Sequence, residues 1–215
     1  CGACPTAGPT RWRCAPCRST RPASTAVRRP ITVPTSRAQR RTNVVDLTTA
    51  VGAVGLPNPV MCASGTAGHG AELGAFVDLA QLGAVVVKSL SAGPWPGNPA
   101  PRVHPLSTGM INSVGLEGPG IAAWAHDELP ALRRARARVV VSIWGRSVED
   151  YAVAADALAK HAPAGTASDP IVAVEINLSC PNLAGKKMFA HDVGAAADVI
   201  TATAGLAYPR WAKLS

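Results

Sequence analysis

Residues 170–180 read PIVAVEINLSC, an apolar run that ends in small and polar side chains. Such a run is typical of a strand that is buried on both faces of a parallel sheet. Four further runs have the same form, and they lie at residues 58–65, 83–90, 137–145 and 210–215. Together the runs predict a set of buried parallel strands.

Helix-like stretches separate most of these predicted strands. They lie at residues 71–82, 147–161 and 192–204, and Ser147 and Asp192 are suitable N-caps for the last two. Two parallel strands need a crossover connection between them, and a helix usually supplies it. The alternation therefore predicts a parallel α/β fold, which is either a doubly wound sheet or a (β/α)₈ barrel.

The polar residues at the strand ends distinguish these two architectures. The glycines that follow the first predicted strand do not have the G-x-G-x-x-G spacing of a dinucleotide-binding sheet. In a barrel, active-site residues lie at the carboxyl ends of the strands. Here those ends carry Ser64, Lys88, Ser89, Ser142, Asn177 and Cys180. We therefore predict a (β/α)₈ TIM barrel that is truncated after about five strands.

The net charge of +8 is concentrated near the start of the chain. Residues 1–42 hold nine arginines and no acidic residue, which leaves 12 basic and 13 acidic side chains in the remainder. This segment is rich in Pro, Thr, Ala and Ser, so we predict a disordered basic arm over 1–42 and a partial barrel over 43–215. The nearly neutral remainder does not favour nucleic-acid binding on the folded body.

Four cysteines form two CxxC pairs in the predicted arm, Cys1 with Cys4 and Cys14 with Cys17. Only nine residues separate the pairs, which is short for a zinc ribbon, so we expect no metal site there. A zinc-binding arm that recruits nucleic acid remains an alternative function. No apolar run is long enough for a signal peptide or a membrane span, so we expect a soluble cytoplasmic protein.

Six short motifs resemble a known family when they are taken in order. They are ASGTAG (63–68), VVVKS (85–89), GNPAPRV (97–103), GMINSVGL (109–116), EINLSCPN (175–182) and AKLS (212–215). The stretch from residue 45 to residue 215 is similar to class 1, cytosolic dihydroorotate dehydrogenases. This resemblance implies an FMN-dependent barrel enzyme that oxidises dihydroorotate to orotate in pyrimidine (UMP) biosynthesis. Residues 1–42 have no counterpart in it.

The resemblance implies that Cys180 is the catalytic base, which removes a proton from carbon 5 of the substrate as hydride leaves carbon 6. A free thiol titrates near ~8.5, so a modest downward shift of its pKa would give thiolate at neutral pH. The alternative interpretation of Cys180 is a small buried apolar residue. Cys62 lies inside a predicted strand and is expected to be inert.

The resemblance also implies two sets of binding residues. The FMN set is Ser64, Lys88, Ser89, Ser142, Asn177 and Lys213. The substrate set is Lys88, Asn112, Ser113, Val114, Gly115, Leu116 and Asn177. Ser142 departs from the family pattern, which usually has asparagine there. The carboxamide of Asn177 suits the amide edges of dihydroorotate, and Lys88 at the end of an apolar strand should face an anion.

This interpretation leaves the whole enzyme's chemistry partly open. The flavin phosphate in such barrels is bound by loops after strands seven and eight, so we expect these residues alone to bind FMN poorly and to be inactive. The nearest alternative is a flavoenzyme that oxidises dihydrouracil or another dihydropyrimidine. The sequence leaves open whether the electron acceptor is fumarate, NAD or another compound. It also leaves open whether the partner is a second copy in a homodimer or an electron-transfer subunit.

Overall fold

A computed structural model describes residues 45–165, 169–179 and 188–215. The strands in these ranges are β1 (Thr49–Val51), β2 (Val54–Leu56), β3 (Met61–Cys62), β4 (Ala84–Val86), β5 (Val103–Leu106), β6 (Gly109–Asn112), β7 (Val139–Ile143), β8 (Ile171–Asn177) and β9 (Arg210–Lys213). The α-helices are α1 (Ile121–Asp127), α2 (Leu129–Arg134), α3 (Val148–His161) and α4 (Val193–Ala202). No helix in the described part is both long and apolar enough to cross a membrane.

A parallel sheet of five strands organises the described part of the chain. Its order is β3-β4-β7-β8-β9, and every neighbouring pair is parallel. The strands lie in the sheet in the order of the sequence, which is the arrangement of half a barrel. The longest strand, β8, is the apolar part of the run at 170–180. The predicted parallel α/β fold is confirmed at this level.

One face of the sheet is largely apolar and packs against the helices. Val85, Val141, Val174 and Ile176 lie on this face and are almost completely buried. The helices complete the cluster with Trp124 of α1, Tyr151 and Leu158 of α3, and Val199 of α4. This layer is the main hydrophobic core of the described residues.

The opposite face changes character along the strands. Near their amino ends the side chains are small and apolar, and they pack with Val54 and Leu56 of the β1–β2 hairpin. These apolar residues are Ala84, Val86, Val140 and Ala173. Alternation along a strand places every second residue on one face, so Ser142 follows Val140 there, and Glu175 and Asn177 follow Ala173. The same face is therefore apolar at one end and polar at the other.

The two predicted N-caps are confirmed. Ser147 precedes α3, and its side chain accepts a hydrogen bond from the backbone N–H of Asp150. Asp192 precedes α4 and accepts in the same way from Ala195. Each cap satisfies one of the free N–H groups at a helix start.

The helix predicted over residues 71–82 is wrong. The segment forms two short 3₁₀ turns, Glu72–Ala75 and Leu79–Gln81. Gly74 lowers helix propensity in the middle of the segment, and the Asp78 side chain accepts from the N–H of Ala80, which caps a new turn. Local hydrogen bonding therefore overrides the apolar periodicity.

Several predictions fall on residues that lie outside the described ranges. They concern the basic arm at 1–42, the two CxxC pairs and Cys180. The domain boundary between residues 42 and 43 likewise stays a prediction.

Candidate functional site

A cavity of about 440 Å³ lies at the carboxyl ends of the sheet strands. The cavity is lined by most of the residues that the sequence predicts for FMN and substrate binding. These are Ser64, Lys88, Ser89, Asn112, Val114, Gly115, Leu116, Asn177 and Lys213. They come from four separate strand ends and one loop, so the fold brings together positions as far as 149 residues apart in sequence.

Lys213 joins the two edge strands of the sheet at this cavity. Its ammonium donates to the Ser64 hydroxyl at 2.7 Å and forms an ion pair with Glu175 at 3.1 Å between Nζ and Oε1. The Glu175 side chain is 13% exposed and that of Lys213 is 35% exposed. A lysine held between a hydroxyl and a carboxylate has a defined position, which an exposed lysine lacks.

A row of hydrogen bonds crosses the centre of the site. The Asn177 amide nitrogen donates to Ser89 Oγ at 2.9 Å, and Ser89 and Ser142 join through their hydroxyls at 2.8 Å. Ser142 then donates to Glu175 Oε1 at 2.7 Å. Three neighbouring strand ends are therefore connected by side chains alone.

Ser142 is completely buried and does not line the cavity. Its hydroxyl forms hydrogen bonds with both Ser89 and Glu175. The geometry therefore does not support the predicted contact between Ser142 and FMN, because the Ser142 hydroxyl is already hydrogen-bonded to two other side chains.

The sequence reasoning missed Glu175. The signal was available, since Glu175 lies two residues before Asn177 and alternation in a strand places both on one face. A carboxylate there has neighbours that compensate its burial, namely the Lys213 ammonium and the Ser142 hydroxyl.

Lys88 lines both the 440 Å³ cavity, which we call the main cavity, and a neighbouring cavity of about 730 Å³. His69, Trp95 and Glu117 also line the neighbouring cavity. Burial lowers the pKa of Lys88, while the negative charge of Glu117 acts in the opposite direction. Burial also lowers the pKa of His69, and the positive charge of Lys88 adds to this effect. The ammonium of Lys88 is thus incompletely solvated and faces an open space.

The loop from Asn112 to Leu116 is held by its neighbours rather than by its own turn. Trp95 Nε1 donates to the Gly115 carbonyl at 2.9 Å. Asn98 Nδ2 donates to the Ser113 carbonyl at 2.9 Å and to its hydroxyl at 3.0 Å. Ser113 consequently bonds with Asn98 and does not line the cavity, unlike the other predicted residues of this loop.

Gly115 is the position where this loop needs glycine. Its φ is +73°, a conformation that side chains disfavour. A Cβ there would lie 2.6 Å from Asn98 Cγ and 2.7 Å from the Asn98 nitrogen. Close packing on Asn98 therefore excludes any larger residue without movement of the loop.

The chain after β8 is fixed at the cavity edge. Ser179 lines the cavity, its N–H donates to Asn177 Oδ1 at 3.2 Å, and its hydroxyl donates to the Lys213 carbonyl at 3.1 Å. Tyr151 of α3 donates its hydroxyl to the Asn177 carbonyl at 2.6 Å. Within the described ranges, no group of three or more His, Cys, Asp or Glu side chains could hold a metal ion.

The fold and this site define an α/β protein with a parallel half-barrel sheet and a cavity at the carboxyl ends of its strands. The family model described as dihydroorotate dehydrogenase matches residues 46–215, so the chain belongs to the dihydroorotate dehydrogenase family. The predicted family is thereby confirmed.

Two curated relatives carry the name "Dihydroorotate dehydrogenase B (NAD(+)), catalytic subunit". The protein from Thermoanaerobacter pseudethanolicus is 47% identical over 139 residues, which cover 65% of this chain and 43% of the relative. The protein from Alkaliphilus metalliredigens is 44% identical over 149 residues, which cover 69% of this chain and 47% of the relative. The chain thus spans about half the length of the curated relatives that it matches.

Proposed function

We propose that this protein is an oxidoreductase that oxidises dihydroorotate to orotate with FMN, as a step of pyrimidine biosynthesis. The observation that carries the proposal is the cavity of about 440 Å³ on which residues from four strand ends and the 112–116 loop converge. Family membership and the names of the relatives support the same reaction. We further propose that the complete fold is a (β/α)₈ barrel with its active site at this edge.

The donor set of the cavity fits a flavin. Two ammonium groups, Lys88 and Lys213, stand beside the hydroxyl of Ser64 and the carboxamide of Asn177. Apolar side chains such as Val103, Met110 and Leu116 line the same space. A flat heterocycle with carbonyl oxygens and a tendency to negative charge needs both kinds of surface. When bound, FMN would supply the acceptor for the hydride from carbon 6 of the substrate.

Binding of dihydroorotate would depend on groups that match its amide edges and its carboxylate. The carboxamides of Asn112 and Asn177 each offer a donor and an acceptor to the ring amides. Lys88 is the cation that we assign to the substrate side, where its incomplete solvation strengthens attraction to an anion. Cys180, which lies outside the described residues, would remove the proton from carbon 5.

The second candidate function is oxidation of an uncharged dihydropyrimidine such as dihydrouracil. The two substrates differ in the carboxylate of dihydroorotate. An incompletely solvated lysine at the cavity favours the anionic substrate, because its positive charge attracts a carboxylate more strongly than an uncharged group. Orotate and uracil, compared as ligands of the wild type, separate the two candidates.

The relatives are named as catalytic subunits that use NAD(+). We propose by analogy that this protein transfers electrons to NAD through a second, electron-transfer subunit. A homodimer of catalytic chains and a cytoplasmic location belong to the same proposal. Purification of the native complex, followed by mass determination of its components, tests the partner and the stoichiometry.

The function is tested by comparing cysteine variants of the full-length protein loaded with FMN. Formation of orotate is measured for the wild type, Cys180→Ala and the control Cys62→Ala, which removes the free thiol of β3. We expect Cys180→Ala to lose about 10²–10⁴-fold in turnover, the usual contribution of a general base. Cys62→Ala should turn over at the wild-type rate. A wild type that forms no orotate would refute the proposed function, and a Cys180→Ala enzyme with undiminished turnover would refute the role of Cys180 as the base.

A further inference from the structure

Glu175 occupies a central position in the polar network although it does not line the cavity. It lies on β8 in register with Ser142 on one side and Trp211 on the other, and its side chain is 13% exposed. One oxygen, Oε1, binds both the Lys213 ammonium and the Ser142 hydroxyl. A single carboxylate therefore touches both parts of the network that reaches the cavity.

The carboxylate determines the direction of the hydrogen bonds in the row. An ionised carboxylate can only accept, so Ser142 must donate its one hydroxyl hydrogen to Glu175. At its contact with Ser89, Ser142 can then only accept, so Ser89 donates its hydroxyl hydrogen to Ser142. Ser89 has no second hydrogen to donate, so it accepts from Asn177. The Asn177 amide must therefore present its nitrogen to Ser89.

The other end of the Asn177 amide agrees with this direction. Its oxygen, Oδ1, accepts from the backbone N–H of Ser179 at 3.2 Å. A rotated amide would place an NH₂ group against that N–H and an oxygen against Ser89, and both contacts would lack a donor and acceptor pair. Glu175, acting through Ser142 and Ser89, and the Ser179 N–H therefore favour the same orientation of the Asn177 amide.

We propose that Glu175 is a positioning residue, which orients Asn177 through Ser142 and Ser89 and holds the Lys213 ammonium beside Ser64. This inference rests on the proposed function and names a residue that acts through others on the same site. Glutamine has the same shape, but its NH₂ group can donate to Ser142 and so allows the row to reverse. Glutamine also removes the counter-charge of Lys213.

The experiment uses the full-length protein in four forms: wild type, Glu175→Gln, Ser142→Ala and the control Glu149→Gln. Glu149 is an exposed residue in the first turn of α3, so its variant loses the same charge away from the site. The measurements are the FMN dissociation constant, the visible absorption spectrum of bound FMN, and kcat and KM for dihydroorotate. The last two separate substrate binding from turnover.

We expect Glu175→Gln to raise the FMN dissociation constant roughly tenfold or more and to shift the flavin absorption band, since a hydrogen-bonded charge pair is broken. Ser142→Ala interrupts only the branch to Asn177 and keeps the Glu175–Lys213 ion pair, so KM should rise roughly tenfold while the FMN dissociation constant rises less than in Glu175→Gln. Glu149→Gln should match the wild type in every measurement.

The outcomes separate the inference from the proposed function. If the wild type binds FMN and forms orotate while Glu175→Gln matches it in affinity, spectrum and KM, the inference alone is overturned. If the wild type and Glu149→Gln both fail to bind FMN, the proposed function falls and takes the inference with it. Should Glu175→Gln not fold, Ser142→Ala decides, and an unchanged KM overturns the role of the row.

Discussion

Two buried tyrosines offer a way to separate the stability of the fold from the integrity of the site. Tyr151 is 1% exposed and donates to the Asn177 carbonyl at the carboxyl end of β8. Tyr208 is 8% exposed, and its hydroxyl bonds with Ala162 O at 3.1 Å and Asp169 Oδ2 at 2.7 Å, next to the amino end of β9. Tyr→Phe removes one hydroxyl at each end of the strands and keeps the ring.

The expected loss of stability follows from these contacts. A buried carbonyl left without its donor costs about 1–3 kcal/mol, and a hydrogen bond to a charged acceptor is worth about 1.5–3 kcal/mol. In Tyr151→Phe the edge-to-face contact with Phe189, at 5.5 Å between ring centres, remains. Burial, followed by the contact with Asp169, raises the pKa of Tyr208, so that side chain stays a neutral donor at neutral pH. We therefore expect the two variants to lose comparable free energies of unfolding. Each kcal/mol lost should lower Tm by about 2–4 °C in a protein of this size.

The two variants should differ in ligand binding. Tyr151→Phe frees the backbone carbonyl of Asn177, whose side chain lines the cavity, so FMN and orotate should bind more weakly. Tyr208→Phe should leave both affinities unchanged, because its partners lie away from the cavity. Urea denaturation gives the free energies of unfolding, and fluorescence titration gives the affinities. Equal losses of affinity in the two variants, or a Tyr151→Phe protein without any change, would refute this reasoning.

Three further outcomes are expected. Burial lowers the pKa of Lys88, so affinity for orotate, titrated across pH, should fall as pH rises through that pKa. Glu117→Gln removes a negative charge that raises the pKa of Lys88, so the loss of affinity should occur at lower pH. A Cβ at residue 115 would introduce ~1–3 kcal/mol of strain, which the loop relieves by moving, so Gly115→Ala should weaken orotate binding roughly tenfold. An unchanged dissociation constant would contradict this. Trp124→Ala empties a fully buried site and should cost about 3–5 kcal/mol in urea denaturation, with a loss below about 1 kcal/mol as the contrary result.

The apolar runs were sufficient to predict the sheet. A strand buried on both faces leaves little freedom in its composition, so runs such as residues 137–145 and 170–180 stand out in the sequence. The N-caps Ser147 and Asp192 were equally readable, since their chemistry is local. The convergence of Ser64 and Asn177 followed from the rule that the active site of a parallel barrel lies at one edge, whereas Lys213 was assigned to the same site only by the family resemblance.

Other features escaped prediction, some for local reasons and one because of tertiary contacts. Periodicity favoured a helix over 71–82, but the Asp78 cap and Gly74 divide it into two turns. Helix α1 was not predicted, and its first residue follows Gly120, which supplies no side-chain cap. The family resemblance assigned Ser142 to FMN, whereas in the structure its buried hydroxyl bonds with Ser89 and Glu175.

The division of one sheet face into an apolar end and a polar end has a consequence for how such a protein can diversify. Val54 and Leu56 support the apolar end, and none of the residues that line the main cavity belongs to that cluster. Substitutions at the cavity can therefore alter the preferred substrate while the apolar cluster at the amino ends of the strands keeps its packing. New chemistry can be tried at one end of these strands without rebuilding the other.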